Sequence, residues 1–193
     1  MQHNYVIEGF AVRLRPVANA DASFIVELRS DPERVKYLNP ISGRIEDQVA
    51  WLDQYYDRPG DYYFIIEKIE CCRSVGLISI YNFENNKAEW GRWILSSGSC
   101  YAIESALLIY KAAFEVFNLQ SVHCLTVAQN TSVINFHESC SPDYSCVVKD
   151  YFEIRGKKFD AVRHEFLQAN WPLLQCRLRQ LAQRIARRRA TVS

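Results

Sequence analysis

The chain has 193 residues, of which 49% are hydrophobic and 13% aromatic, enough to fill a core and to exclude an intrinsically disordered protein. Its 23 basic and 22 acidic residues give a net charge of +1, which excludes a globally basic nucleic-acid binder but leaves room for a local basic patch. No apolar run reaches the roughly 18–20 residues of a membrane span, and the first residues lack the pattern of a signal peptide.

The first predicted elements are a strand and two helices. Apolar and basic side chains alternate over 10–17, which is typical of a half-buried strand. A helix is predicted to open at 20–22 and to stop before Asp31-Pro32, and a second helix is predicted over 45–56.

An antiparallel meander of three strands comes next. The predicted strands are 62–67, 74–81 and 88–95, with a turn at Asn85-Asn86. We then expect a long helix over 101–117, a strand over 121–127, and a short helix over 130–138. Two final strands near 146–154 and 159–166 are joined by a hairpin turn at 155–157. This order of elements predicts a mixed α/β sheet.

The charge distribution divides the chain into a body and a tail. No Asp or Glu follows Glu165, whereas six arginines do: Arg177, Arg179, Arg184, Arg187, Arg188 and Arg189. We therefore predict one domain over 1–170 and a basic amphipathic helix over 171–193. Its apolar stripe consists of Leu174, Leu178, Leu181 and Ile185.

Three interpretations of this tail remain open. It could pack on the domain or on a second subunit to form a homodimer, contact a membrane surface, or contact nucleic acid. The stripe has few bulky aromatics, which favours packing over membrane contact.

A loop of small residues precedes the long helix. The N–H groups and the positive dipole end of a helix N-terminus suit a phosphate, and small residues at 97–100 let a ligand approach the backbone. From the local sequence alone, an ordinary Ser-capped helix start is the more frequent meaning of such a loop.

The order of elements over about 10–167 resembles the GNAT superfamily of acyl-CoA N-acyltransferases. The family's pyrophosphate loop, Gln/Arg-x-x-Gly-x-Gly/Ala, aligns with 97–102, where Ala102 matches, Ser97 replaces Gln/Arg and Cys100 replaces the central Gly. Gly98 matches a glycine of the family's QGKG form. Further similarity lies in the helix motifs at 102–119 and 130–138 and in the hairpin at 155–160.

The resemblance implies a fold, an activity and a coenzyme site. We expect a mostly antiparallel sheet of about seven strands flanked by helices, and direct transfer of an acetyl group from acetyl-CoA to a primary amine, without a metal. The coenzyme-binding residues that it implies are Ile94, Leu95, Ser97, Gly98, Ser99, Cys100, Tyr101, Ala102, Asn130 and Phe136.

Within the superfamily, the stretches 62–67, 75–78 and 88–91 look like the N-acetyltransferases of nucleotide-linked amino sugars, such as those of the pseudaminic acid pathway type. Ribosomal-protein and polyamine acetyltransferases share much of this pattern. The alternatives are a protein N-terminal or lysine acetyltransferase and, in another class, a non-catalytic acyl-CoA-binding or nucleic-acid-associated module.

Two residues are candidates for proton transfer. Glu89 is predicted to share one strand face with Gly91 and Trp93, where it could act as the general base directly or through water. The alternative is an exposed ion pair with Arg92 or Lys87. His137 stands where the family usually has a tyrosine that protonates the departing sulfur, and the alternative is a surface residue at a helix end.

Aromatic and basic side chains are concentrated in the first half of the chain, which we expect to bind the acceptor. Aromatic rings stack on bases and sugars, and arginines bind diphosphates, although such residues are more often core or solvated surface. Arg29 and Arg58 are further arginines that could face a diphosphate. The substrate-binding candidates are Tyr37, Trp51, Trp90 and Arg92.

The seven cysteines are an odd number in a chain too long to need disulfides, which favours reduced thiols in a cytoplasmic protein. His137 and Cys140 have ligand-like spacing, but no matching second pair follows, so we expect no metal site.

Overall fold

The computed structural model describes residues 3–190, and side chains up to residue 188. Its centre is an eight-stranded sheet in the order β1-β2-β3-β4-β5-β6-β8-β7. The strands are β1 (Ile7–Glu8), β2 (Val12–Pro16), β3 (Tyr62–Lys68), β4 (Ser74–Glu84), β5 (Lys87–Leu95), β6 (Ser121–Val127), β7 (Tyr144–Ile154) and β8 (Lys157–Leu167). Neighbouring strands of the described sheet are antiparallel, except β5 and β6, which are parallel.

Five α-helices cover the two faces of this sheet. They are α1 (Ala22–Ser30), α2 (Ile45–Tyr55), α3 (Ala102–Lys111), α4 (Thr131–Ser139) and α5 (Trp171–Ala190). Short 3-10 helices precede α1 and α5, and a π-helical turn, Ala112–Val116, continues α3.

The predicted mixed, mostly antiparallel α/β fold is confirmed, with one more strand than expected. The additional strand is β1, which pairs with β2 through only two residues and is too short to produce an alternating pattern. The expected helix over 101–117 is α3 and its π-helical turn, which ends at Val116.

The sheet separates two hydrophobic cores. Strand β3 supplies both, because Tyr63 and Ile65 pack towards α1 and α2, whereas Phe64 and Ile66 pack towards α3 and α5. All four side chains are buried, which explains why this strand is a continuous apolar run without polar alternation.

Helix α5 packs against α3 and its π-helical turn. Leu174 and Leu178 of the predicted stripe are buried, and Trp171 Nε1 donates a hydrogen bond of 2.9 Å to Glu115 Oε1. Leu181 and Ile185 are half-buried. The side chain of Arg189 and residues 191–193 of the predicted tail lie outside the described part of the chain.

The seven cysteines, all within the described residues, are free thiols. Among residues 3–190, no group of three or more His, Cys, Asp or Glu side chains is arranged to hold a metal ion. None of the described helices is long and apolar enough to cross a membrane.

Candidate active site between diverging strands

A cleft opens where the parallel strands β5 and β6 separate. They are paired only at Lys87–Glu89 and Ser121–His123, and the inner edge of β5 faces the cleft beyond this point. The cleft has a volume of about 560 Å³. Its walls include Trp93, Ile94, Leu95, Ala102, Asn130 and Phe136.

A β-bulge in β5 changes which side chains face the site. Ser79 pairs with Gly91 and Leu77 pairs with Ile94, so β5 has one more residue than β4 in this interval. Arg92 lies within this interval and has a φ of 49°, in the left-handed region.

The bulge makes the predicted alternation along β5 wrong. The rings of Trp90 and Trp93 lie on the same face, with centroids 5.6 Å apart. Arg92 instead lies over the ring of Tyr81 at 4.4 Å, on the side of Glu89. One inserted residue reverses the facing of every side chain that follows it.

Glu89 is 8% exposed and is held by side chains that carry no positive charge of their own. Tyr81 Oη donates to Glu89 Oε1 at 2.8 Å, and Asn82 Nδ2 donates to Oε2 at 3.1 Å. His123 Nε2 lies 4.0 Å from Oε2.

The ion pairs predicted as the alternative role of Glu89 do not form. The guanidinium of Arg92 binds Asp61 through two hydrogen bonds of 2.7 and 2.9 Å. Lys87 Nζ lies 3.5 Å from Glu165 Oε1 instead. The carboxylate of Glu89 is therefore not neutralised by either cation.

Burial keeps the neighbours of Glu89 in their uncharged forms. Desolvation, followed by the nearby Glu89 carboxylate, raises the pKa of Tyr81, so its phenol remains a donor. Desolvation, followed by the charge of Arg163, lowers the pKa of His123 to about 4, so this imidazole is neutral at physiological pH.

His137 lies in the core and not on the surface. It is 2% exposed, and its ring centroid lies 5.2 Å from Trp90 and 5.3 Å from His164. Burial, with a smaller effect of His164, lowers the pKa of His137 to about 3. Its role as a proton donor stays a prediction, and a neutral, enclosed imidazole argues against it.

The coenzyme-site candidates fall into two groups. Ile94, Leu95, Ala102, Asn130 and Phe136 line the large cleft. Ser97, Gly98, Ser99 and Tyr101 line a smaller recess of about 170 Å³, which they share with Lys68 and Arg73. Cys100 is half-buried against the core.

The start of α3 suits the diphosphate of a coenzyme A molecule. Gly98 has a φ of 68°, and a Cβ built there has no atom of the described chain within 4 Å, so a ligand can approach this backbone. These features fit an anion at the N-terminal end of the helix dipole.

The acceptor-side candidates are only partly brought together. Trp51 and Arg92 line a cavity of about 290 Å³ on the α1–α2 side of the sheet. Tyr37 lies at the mouth of the large cleft and donates to the carbonyl of Gln129 at 2.9 Å. Trp90, by contrast, is 1% exposed and packs between Tyr110 and His137, so it is a core residue with almost no surface for a substrate.

Sequence reasoning missed the side chains that hold Glu89 and one cleft wall. Counting back from the Asn85-Asn86 turn places Asn82 opposite Glu89, but a register shift pairs Glu89 with Tyr81. Both Tyr81 and Asn82 donate a hydrogen bond to the carboxylate of Glu89. Glu33, Arg34 and Lys36, which follow α1 and line the cleft, carried no signal in the sequence.

Comparison with known proteins identifies the fold and its chemistry. The acetyltransferase (GNAT) domain family matches residues 11–141. The chain belongs to this family. It is an acetyl-CoA-dependent N-acetyltransferase, as its solved structural neighbours are acetyltransferases of the same fold.

Several solved structures are similar over most of this acetyltransferase. FdhC, a nucleotide-linked sugar GNAT in its apo form, is 26% identical and has a TM-score of 0.75, covering 91% of this chain and 97% of its own. A GCN5-related N-acetyltransferase from Brucella melitensis is 16% identical, with a TM-score of 0.81 and coverage of 92% and 85%.

A variant of SpeG spermidine N-acetyltransferase from Vibrio cholerae is also 16% identical, with a TM-score of 0.72 and coverage of 84% and 97%. At this identity, the last two show the shared fold alone. No curated protein sequence matches this chain.

Proposed function

We propose that this acetyltransferase acetylates the primary amine of a small molecule in the chemical class of nucleotide-linked amino sugars, with Glu89 as the general base. The observation that carries the proposal is the position of Glu89. Glu89 is the last residue of β5 that pairs with β6, so its carboxylate lies beside the point where these two strands separate.

Glu89 lines a recess of about 250 Å³, the Glu89 recess. It adjoins the cleft, since Trp93, Ile94 and Asn130 line both, so an amine beside Glu89 can meet an acyl group lying along β5. Acetyl-CoA, when bound, supplies the activated thioester. We assign its binding to the coenzyme-site candidates already named, with the diphosphate at the start of α3.

The chain's own part in the reaction is to remove a proton and to exclude water. An ammonium is not a nucleophile, so Glu89 accepts one proton from it, directly or through a water molecule. The neutral nitrogen then bonds to the acyl carbon, the carbon–sulfur bond breaks, and the departing sulfur takes up the second proton that the nitrogen loses. The backbone of β5 at Ile94 and Leu95 lies along the cleft, where an N–H would polarise the acyl carbonyl.

The acceptor class is supported by two observations. The likeness to FdhC, a nucleotide-linked sugar GNAT, extends over nearly the whole of both chains. The cavity of about 290 Å³ on the α1–α2 side is also lined by Arg29, whose positive charge attracts an anion and repels a polycation such as a polyamine.

We also propose that residues 1–170 are the catalytic domain and that 171–193 are a basic helix appended to it. The packing of Leu174 and Leu178 supports a helix that stabilises the domain.

Thiol release from acetyl-CoA, measured over a panel of acceptors, tests the function. The panel contains nucleotide-linked amino sugars, free amino sugars, polyamines and lysine peptides. We expect the highest kcat/KM for a nucleotide-linked amino sugar. Preference for a lysine peptide would indicate a protein acetyltransferase, and acetyl-CoA binding without thiol release would indicate a non-catalytic module.

A further inference from the structure

Arg29 of α1 points into the acceptor-side cavity of about 290 Å³. The other walls of this cavity include Asn39, Gln48, Trp51, Tyr63 and Arg92. The cavity also meets the Glu89 recess, since Leu38, Arg92 and Ile94 line both. A molecule whose amine lies at Glu89 can therefore extend towards Arg29.

The guanidinium of Arg29 is only partly satisfied by protein groups. Its Nη2 donates to the carbonyl of Asn39 at 2.9 Å. Its Nε is buried and has no hydrogen-bond partner among residues 3–190. A buried donor without a partner is costly, and a guanidinium with unused donors in the wall of a cavity points to a ligand that binds it.

The charge of Arg29 is also uncompensated. Burial lowers the pKa of its guanidinium, Tyr63 partly opposes this effect and Arg92 adds to it, and none of these causes is a carboxylate. Arg92 itself is matched by Asp61 through two hydrogen bonds. Of the two arginines in this cavity, Arg29 is thus the one whose charge lacks an acidic partner in the described structure.

Aromatic rings form part of the same walls. Trp51 stacks on Tyr55 with ring centroids 5.7 Å apart, and Tyr63 meets Trp51 edge-on at 5.9 Å. These contacts hold the Trp51 ring in place in the wall of the cavity, and the guanidinium of Arg58 lies over the same ring at 5.2 Å.

We propose that Arg29 is a specificity-determining residue that binds a phosphate group of the acceptor, while Glu89 serves the amine of the same molecule. A guanidinium offers paired N–H donors that match two oxygens of a phosphate. The inference rests on the proposed function for its amine acceptor. It adds that the acceptor must be anionic, and it names the residue that selects for this.

An equilibrium measurement tests the anion site without any turnover. Calorimetry with inorganic pyrophosphate and with uridine diphosphate is done at saturating coenzyme A, so that the start of α3 is already occupied. We expect Arg29→Gln to weaken binding of both probes by about 10- to 100-fold, as for a lost charge-assisted hydrogen bond, and Arg29→Lys to weaken it less.

Arg44→Gln is the matched control, because Arg44 is 70% exposed and lies outside the cavity. Its affinity for both probes should equal that of the wild type. Melting temperatures of all variants show whether each is folded. Equal probe affinity in folded Arg29→Gln and wild type, or no binding of either probe to the wild type, would overturn the proposal.

The acceptor panel separates this inference from the proposed function. For wild type, we expect phosphate-bearing amino sugars to be better substrates than neutral ones, and Arg29→Gln to remove this preference through KM. If neutral and phosphate-bearing amines react equally well, the proposal for Arg29 is wrong and the acetyltransferase function stands. If no small amine reacts, the proposed function is wrong, and pyrophosphate binding still decides the role of Arg29.

Discussion

At the scale of single residues, the site depends on what surrounds each ionisable group. Glu89 accepts hydrogen bonds from Tyr81 and Asn82, both uncharged donors, and the nearest cations bind other carboxylates. Such donors orient a carboxylate without adding a formal positive charge beside it.

Replacing Glu89 by glutamine keeps the shape of the side chain and removes the proton acceptor. General-base assistance is typically worth about 10²–10⁴ in rate, so Glu89→Gln should lower kcat/KM for the amine by this factor near neutral pH. The loss should shrink at high pH, where more free amine exists, and acetyl-CoA affinity should change little. Glu84→Gln, on an exposed part of β4, is the control. Near-normal activity of Glu89→Gln would assign the base to another group.

The burial of His137 makes stability depend on pH. Its pKa is about 3 in the folded protein against an ordinary value of 6.5, so the unfolded chain binds the proton first as the pH falls. The free energy of unfolding should therefore decrease from about pH 6.5 towards about pH 3, by at most about 1.4 kcal/mol per pH unit for this one group.

Urea unfolding at several pH values checks this, and His137→Gln should have a shallower slope because glutamine does not titrate. Its kcat should fall less than the roughly 10²-fold expected for loss of a general acid. A larger fall, with an altered pH profile, would restore the proton-donor role of His137.

At the scale of elements, irregular backbone shapes the cleft. The bulge at Arg92 turns Trp93 and Ile94 out of the pattern of a regular strand, and the pairing of β5 with β6 stops at Glu89. The following loop then delivers Gly98, in a left-handed conformation, to the start of α3. The proposed coenzyme site is thus formed by the end of one strand and the beginning of one helix.

Two glycines with similar backbones give a matched test of this loop. Gly98 and Gly156 have φ values of 68° and 73°, and neither has an atom of the described chain within 4 Å of a built Cβ. Valine at either position should cost about 1–3 kcal/mol of stability through backbone strain. Only Gly98→Val should weaken acetyl-CoA binding, because Gly156 lies in the β7–β8 hairpin. Calorimetry that finds equal coenzyme affinity in both variants would place the diphosphate elsewhere.

At the scale of the whole molecule, the cavity lined by Arg29 and Trp51 lies on the α1–α2 side of the sheet. Helices α3 and α5 pack against the other side of the sheet. The helix α5 contributes Leu178 and Ala182 to the same core as Phe64 and Trp90. A tail that is basic in sequence is therefore also part of the hydrophobic packing of the domain.

Two leucines of α5 test this packing. Leu178 is 2% exposed, whereas Leu173 is 77% exposed. Leu178→Ala should lower the free energy of unfolding by about 2–5 kcal/mol, and Leu173→Ala should change it by less than about 0.5 kcal/mol. Deleting 172–193 should destabilise the chain further or alter its sedimentation coefficient. Identical melting of the truncated and full-length chains would show that the tail is free.

Local patterns were enough to predict the order of elements. The strand 121–127 and the start of the helix at 45 agree with the structure, and the turn at Asn85-Asn86 joins β4 to β5. The alternation of strands, the spacing of helices and the residues of turns are properties of neighbouring positions. They can therefore be recognised in the sequence before the fold is known. The motifs of the family are likewise short, and they identified the superfamily before any geometry was known.

The facing of side chains around the site was decided only by tertiary structure. The period of two along β5 holds only while the ladder is regular, and the bulge arises from pairing with β4. His137 is shielded from solvent because it packs against Trp90 and His164, which are distant in sequence. The cavity around Arg29 likewise combines α1, α2 and two strands. The burial of a side chain and the compensation of its charge depend on many residues that are distant in sequence. A short stretch of sequence therefore does not reveal them.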